Sequence, residues 1–153
     1  MVSFEDIKEI GQKWTKEYCK VLNESPEYEE AAKGWGIDFE GSMLFIMLPS
    51  GEINFEIVSF LDLKDGKCLG IKLLEPGEDP PREPGMILKA PMLIWKKLAF
   101  KEMNPVQALM SGDLQLEGDM SLAMKYSQAA MMLADLTEKT DRGLFTKFDL
   151  GDG

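Results

Sequence analysis

The sequence predicts an α+β fold, and three observations lead to that prediction. From Phe4 to Val21, apolar residues recur every three or four positions, which is typical of an amphipathic helix. Between Met43 and Leu73 the pattern changes to an unbroken apolar run followed by alternation, which is typical of strands. Further along, helical spacing returns around one short alternating segment at 114–116. Helices at both ends and strands between them place the chain in the α+β class.

The first helix is predicted to run from Ser3 to about Asn23. Ser3 and Asp6 have the spacing of a capping box, in which each residue satisfies a backbone group of the other. Pro26 suits the first turn of a second, short helix, and the glutamates that follow it favour the positive end of the helix dipole.

Three strands joined by short turns are predicted next. The apolar run at 43–48 indicates a strand that is buried on both faces. The alternation at 53–63 indicates a strand with one covered face, and 64–67 forms a tight turn. The third strand is expected to place Leu69, Ile71 and Leu73 on one face and Lys72 on the other.

The second half of the chain is predicted to begin with a proline-rich loop, Glu75 to Gly85, which cannot form regular ladders. Met86 to Ala90 is expected to be a fourth strand, and Pro91 is expected to open a helix that runs to about Met103. Asn104 and Pro105 then suit the start of a brief helix that stops at Gly112.

A short fifth strand around Leu114 and Leu116 is expected to end at Gly118. Asp119 caps a last helix that, if it runs to Thr140, is about 33 Å long at about 1.5 Å per residue. We expect residues 1–153 to form one domain, with 141–153 as a C-terminal tail.

The composition disfavours several functional classes. The chain has no histidine, which removes the commonest general base near neutral pH and the commonest transition-metal ligand. Its net charge of −10 opposes binding to nucleic acid. Cys19 and Cys68 are far apart in sequence without a CxxC spacing, so two buried free thiols are expected rather than a zinc site or a redox pair. The start of the chain lacks the pattern of a signal peptide, so we expect a cytoplasmic protein.

The segment 104–126, NPVQALMSGDLQLEGDMSLAMKY, resembles the C-terminal signature of the sterol carrier protein family. That signature has Asn-Pro, a short helix that ends in Phe-Met-x-Gly, an aliphatic strand, then Gly-Asn-Met and Leu-Ala-Met-Lys. The matching residues, in order, are Asn104, Pro105, Ala108, Met110, Gly112, Leu114, Gly118, Met120, Leu122, Ala123, Met124 and Lys125. Leu109 stands where the family has Phe, and Asp119 stands where it has Asn.

The resemblance implies a single five-stranded, mostly antiparallel sheet, covered on one face by about five helices, with an apolar tunnel between sheet and helices. It further implies a non-catalytic protein without a cofactor or metal, which binds or transfers a sterol, fatty acid, acyl-CoA or phospholipid. We expect the ligand to contact Phe45, Phe55, Ile57, Trp95, Phe100, Met103, Met110, Leu116, Met120, Met124, Met131 and Leu133.

Several features of the sequence leave alternatives open. On sequence pattern alone, Met120, Met124, Met131 and Met132 suit an ordinary core better, whereas the resemblance favours a wall that repacks around ligands. Trp95 beside Lys96, Lys97 and Lys101 would suit a weak, transient membrane contact, although a solvated helix face with one packed Trp explains this pattern better. Leu144, Phe145 and Phe148 would form a lid or simply pack on the domain.

Two other functional classes compete with a free carrier. One is a substrate-presenting or regulatory subunit of a lipid-metabolising enzyme complex, with an enzyme as partner. The other is an enzyme that uses a carboxylate with a raised pKa in an apolar pocket. Glu117 and Asp119 flank Gly118, but an exposed strand and a helix cap explain them more simply.

Overall fold

The N-terminal part of the chain consists of two helices that begin where the sequence predicts. In the computed structural model, which describes residues 2–151, α1 spans Phe4–Asn23 and α2 spans Pro26–Ala31. The capping box is present, since the backbone N–H of Ser3 donates to Asp6 Oδ2 at 2.7 Å. Ser25 caps α2 by accepting from the backbone N–H of Tyr28 at 3.1 Å.

Five strands form one open sheet in the described residues: β1 Met43–Leu48, β2 Ile57–Lys64, β3 Lys67–Leu74, β4 Met86–Pro91 and β5 Gln115–Glu117. Their spatial order is β3-β2-β1-β4-β5. Only the central pair, β1 and β4, is parallel, and the other neighbours are antiparallel. The predicted α+β class and mostly antiparallel sheet are therefore confirmed. The second strand begins later than predicted, because Ile53 forms only an isolated bridge with Ser50.

Seven α-helices lie within residues 2–151, rather than about five. After β4 come α3 Met92–Ala99, α4 Pro105–Ser111, α5 Met120–Lys125, α6 Ser127–Asp135, a 3₁₀ turn Leu136–Lys139 and α7 Gly143–Thr146. The last two residues of the predicted tail lie outside the described residues. α3 ends four residues earlier than predicted, because Lys101 adopts a positive φ of 59° that no helix interior accommodates.

The predicted last helix is interrupted, so the expectation of one helix from Asp119 to Thr140 is wrong. Tyr126 departs from helical geometry with φ −104° and ψ 30°, which separates α5 from α6. Its ring packs edge-on against Trp35, with ring centroids 5.2 Å apart. Tyr126 is half-buried and packs against the main core.

The two faces of the sheet differ in what covers them. The main core joins the helices to the inner face, where Met43, Phe45 and Met47 of β1 are buried. The outer face carries a smaller apolar cluster, with Leu44, Phe60 and Leu74 buried. The prediction that β1 is buried on both faces is therefore confirmed.

The proline-rich loop contributes to the cover of the outer face. Arg82 lies 5.4 Å above the ring of Phe60. The same guanidinium bonds Asp62 at 2.7 Å and Glu40 at 3.0 Å. The loop that the sequence assigned to no regular element thus shields part of the sheet.

A β-bulge in β3 reverses the predicted orientation of its first residues. Asp62 pairs with Gly70 but Leu63 pairs with Cys68, so Leu69 is left without a partner across the ladder. Leu69 is 61% exposed, so the prediction that it shares a face with Ile71 and Leu73 is wrong. Cys68 instead turns inward and is buried.

The bulge brings Cys68 to α1, where it forms a disulfide with Cys19. The two Cα atoms are 5.5 Å apart, a normal separation for such a bond. The prediction of two free thiols is therefore wrong. Asn23 strengthens the same junction, because its side chain bonds the backbone N–H and C=O of Cys68, each at 2.8 Å.

Candidate binding cavity

A cavity of about 100 Å³ lies between the inner face of the sheet and the helices. One water molecule needs roughly 10–15 Å³ of such volume, so this space is larger than an ordinary packing defect. The wall is apolar and is formed by residues of β1, β2, β4, β5, every described α-helix and the segments between them: Trp14, Tyr18, Tyr28, Ala32, Trp35, Met43, Phe45, Met47, Leu63, Met86, Leu88, Trp95, Leu98, Ala99, Pro105, Leu109, Leu114, Leu116, Ala123, Tyr126, Ala129, Ala130, Leu133, Ala134, Thr137 and Phe145.

The strands supply the floor through residues that face the same way. Phe45 pairs with Leu88 across the parallel ladder, and Leu88 pairs with Leu116 across the next ladder. Cross-strand partners lie on the same face of a sheet, so these three side chains form one apolar row. The tilted contact between Phe45 and Trp95, with centroids 4.8 Å apart, links this row to α3.

The helical side owes its space to small residues. Ala123 of α5 and Ala129, Ala130 and Ala134 of α6 all line the cavity. A methyl group fills little of the distance between a helix and a sheet, so a row of alanines leaves room that leucines would occupy. Leu133 provides the larger apolar contact on the same helix.

Most polar groups of the wall are satisfied within the protein. The Trp95 indole donates to the carbonyls of Ile46 and Ala90 at 3.1 and 3.0 Å, and the Trp35 indole donates to that of Gly41 at 2.8 Å. The Tyr18 hydroxyl donates to the carbonyl of Leu133. These bonds hold the aromatic rings in place while the cavity stays apolar.

The wall contains no Asp, Glu, Lys or Arg among the residues that the structure describes. Burial raises the pKa of both Tyr18 and Tyr28, and for Tyr18 the proximity of Tyr28 adds to the effect. Both phenols are therefore neutral over the physiological pH range. The cavity can enclose apolar matter, and it offers no carboxylate for the acid–base chemistry considered above.

Four of the twelve predicted ligand-contact residues lie on the cavity wall: Phe45, Trp95, Leu116 and Leu133. The other eight lie elsewhere in the structure. Met110 is 77% exposed on α4 and Met120 is 42% exposed at the start of α5. Ile57 is buried in the core beside the cavity, and the remaining five are half-buried: Phe55, Phe100, Met103, Met124 and Met131. Contact of any of the twelve with a ligand stays a prediction.

The predicted contacts include three methionines of the predicted last helix, Met120, Met124 and Met131, and none of the three lines the cavity. The methionines that line the cavity are Met43, Met47 and Met86, all on strands. Sequence reasoning also missed the helix aromatics Trp14, Tyr18 and Tyr28, although the first two belong to the apolar face predicted for α1. The feature that marks the helical wall is its set of alanines, Ala123, Ala129, Ala130 and Ala134. The sequence shows these alanines, but it does not show that they face a cavity.

Three other expectations have a clear outcome. Trp95 is 7% exposed, so it does not offer its ring to a membrane, and the alternative that it docks there is wrong. Leu144 and Phe145 are buried, and Phe145 forms part of the wall. Asp119 accepts from the backbone N–H groups of Ser121 and Leu122, as a helix cap does, and a bond from the Ser121 hydroxyl together with these lowers the pKa of its carboxyl.

Within residues 2–151, no cluster of His, Cys, Asp or Glu could hold a metal ion. No helix of this part of the chain is long and apolar enough to cross a bilayer.

Comparison with known proteins identifies the family. The sequence model of the SCP-2 sterol transfer family matches residues 16–131. A crystal structure of sterol carrier protein 2 is 29% identical, with a TM-score of 0.73, and the match covers 85% of this chain and 97% of that one. The chain described here belongs to the SCP-2 sterol transfer family.

Other solved structures agree. A conserved hypothetical protein of Thermus thermophilus, described as possibly a sterol carrier protein, is 31% identical with a TM-score of 0.70 over 82% of this chain and 85% of that one. A structure named UbiJ-SCP2 ubiquinone synthesis protein is 17% identical with a TM-score of 0.50 over 93% and 99% of the two chains, and shares the fold. No curated protein sequence matches this chain.

Proposed function

We propose that this protein is a non-catalytic carrier that encloses the apolar part of a lipid in the cavity between sheet and helices. The observation that carries the proposal is the cavity itself, since a protein interior is normally packed without voids much larger than a water molecule. Each methylene that moves from water into it would contribute about 0.8 kcal/mol, so an alkyl chain binds without any specific polar contact.

Two further observations support this proposal. The family model that the chain matches is described as sterol transfer, and the wall contains no described carboxylate or amine that would act on a substrate. Helix α6 supports the idea of an enclosed guest, because its alanines leave space opposite the row of Phe45, Leu88 and Leu116.

The test is to fill the cavity and to measure binding of N-phenyl-1-naphthylamine, an uncharged apolar dye, to delipidated protein. Ala130→Phe adds a ring to the wall and is expected to weaken binding at least tenfold. Met131→Phe is the matched control, because the neighbouring side chain does not line the cavity. Wild-type protein that ignores the dye, and that releases no lipid on denaturation, would rule out the carrier function.

The alternative is a subunit that presents its ligand to an enzyme. Met110 and Met120 are exposed, and flexible methionines suit adaptable protein-binding surfaces. The UbiJ-SCP2 ubiquinone synthesis protein has the same fold, which associates one protein of this fold with the synthesis of a lipid. This alternative predicts that the protein sediments with a larger assembly in host extracts, and that Met110→Glu with Met120→Glu releases it while dye binding is unchanged.

The proposal places the carrier in the cytoplasm. Reducing cytoplasms keep most thiols reduced, and hyperthermophiles are the main exception. The Cys19–Cys68 disulfide therefore fits a hyperthermophilic cytoplasm or an oxidising compartment better than the cytoplasm of other hosts. Alkylation of free thiols in acid-quenched cells tests the location, because free Cys19 and Cys68 would be trapped and the disulfide would not.

A further inference from the structure

One buried hydrogen-bond donor of the cavity wall has no partner. Trp14 is 3% exposed and lines the cavity, yet no described atom accepts from its indole Nε1–H. The chain has three tryptophans and all of them line the cavity. The indoles of Trp35 and Trp95 both donate to backbone carbonyls, so Trp14 is the exception.

The neighbours of Trp14 do not supply an acceptor. Its ring stacks on Tyr18 with centroids 5.0 Å apart, and the Tyr18 hydroxyl is already bonded to the carbonyl of Leu133. Phe145 approaches edge-on with centroids 6.4 Å apart, and its side chain has no polar atom. A buried donor without a partner is unfavourable, and the cavity is the space from which a partner can come.

The hydroxyl of Tyr28 is a second polar group of the wall. Tyr28 is buried, but its oxygen is not among the enclosed side-chain atoms that lack a partner, which in the described chain are Trp14 Nε1 and Ser42 Oγ. Burial raises the pKa of this phenol and keeps it neutral, so its O–H can donate a hydrogen bond without carrying charge.

The charge of the wall limits what these donors can bind. No Lys or Arg is among the described wall residues, so an ionised carboxylate or phosphate at this depth would lack a counter-charge. An uncompensated buried charge is far more costly than a neutral acceptor. An ester, ketone or alcohol oxygen satisfies the donors without that penalty.

We infer that the ligand is a neutral lipid whose polar end is an uncharged oxygen acceptor, and that Trp14 Nε1–H donates to it. The inference rests on the proposed carrier function and adds the chemical class of the ligand. It assigns Trp14 as the residue that distinguishes an acceptor-bearing chain from a plain hydrocarbon or an anion.

The experiment compares three compounds of similar chain length as competitors of N-phenyl-1-naphthylamine: methyl laurate, laurate at pH 8 and tridecane. Wild-type protein is expected to bind methyl laurate roughly two- to tenfold more tightly than tridecane, the range that one neutral hydrogen bond supplies. Laurate is expected to bind more weakly than methyl laurate.

Trp14→Phe keeps an aromatic ring and removes the donor, so it is expected to abolish the preference for methyl laurate, because it weakens methyl laurate binding more than tridecane binding. Ser42→Ala is the matched control, because the Ser42 hydroxyl is the other buried polar atom without a partner in the described chain and lies outside the cavity wall. Tridecane binding shows that Trp14→Phe retains its cavity.

The outcomes separate the two proposals. If all three compounds compete equally, or if Trp14→Phe retains the preference for methyl laurate, the carrier function stands and the ligand class is wrong. If laurate binds most tightly, the polar end lies away from Trp14 and the inference is likewise overturned. If none of the compounds competes and the dye does not bind, the carrier function itself fails.

Discussion

The two buried phenols of the cavity wall make the stability of the fold depend on alkaline pH. Burial raises the pKa of Tyr18 and Tyr28 above the ordinary value of 10.0. In the unfolded chain both groups ionise near that value, whereas the folded state holds them neutral. Their contribution to stability is therefore complete below about pH 10 and decreases as pH rises toward the folded-state pKa values.

We expect the free energy of unfolding to fall between pH 10 and 11.5, and Tyr28→Phe to reduce the size of that fall. Urea unfolding at several pH values measures it. About 0.3 M salt should be present, since it screens surface ion pairs such as Lys8–Glu75, which also weaken at high pH. An unchanged pH dependence in Tyr28→Phe and Tyr18→Phe would show that neither phenol is buried as described.

At the scale of single elements, the covalent link between α1 and β3 is the feature that the sequence did not predict. Regular alternation from Ile71 and Leu73 places Leu69 on the inner face and Cys68 on the outer face, away from α1. The bulge after Asp62 shifts this register, so Cys68 faces Cys19. A bulge depends on how two strands pair, and the sequence of one strand does not reveal it.

The disulfide is expected to contribute substantially to stability. It joins residues 49 positions apart, and cross-links of this span typically stabilise a protein by about 2–4 kcal/mol, largely by restricting the unfolded chain. Cys19→Ser with Cys68→Ser should lower the free energy of unfolding by that amount in urea titrations. A reductant should lower the free energy of unfolding of the wild type by a similar amount and should leave that of the double variant unchanged. A reductant that leaves the wild-type stability unchanged would contradict the assigned bond.

Helix α1 also links this junction to the cavity. Cys19 follows Tyr18 directly, and Trp14 lies four residues before Tyr18 on the same helix face. The disulfide, the Asn23 bonds and the contact of Tyr18 with Leu133 all hold this helix against its neighbours. The Trp14 donor proposed to recognise the ligand therefore sits on a segment that is fixed at several points.

On the scale of the whole molecule, the sequence predicted the architecture better than the cavity. Some features of the fold depend on local sequence and can therefore be predicted from it. They include the capping residues Ser3 and Asn104 and the end of helical spacing at Met43. A cavity depends instead on the space that the packed helices and strands leave unfilled. Ala130 and Met131 are both apolar helix residues, and only the position of α6 decides that the first lines the space.

A bound lipid should stabilise the whole fold, because it contacts helices and strands that separate on unfolding. A ligand present at about 100 times its dissociation constant adds about 2.7 kcal/mol, which for a domain of this size raises the melting temperature by roughly 5–10 °C. We expect methyl laurate to produce such a shift in delipidated wild-type protein, measured by circular dichroism. Ala130→Phe should show little shift and Met131→Phe a full one, because only the first side chain enters the cavity. An equal shift in both variants would mean that the lipid stabilises the protein from another surface.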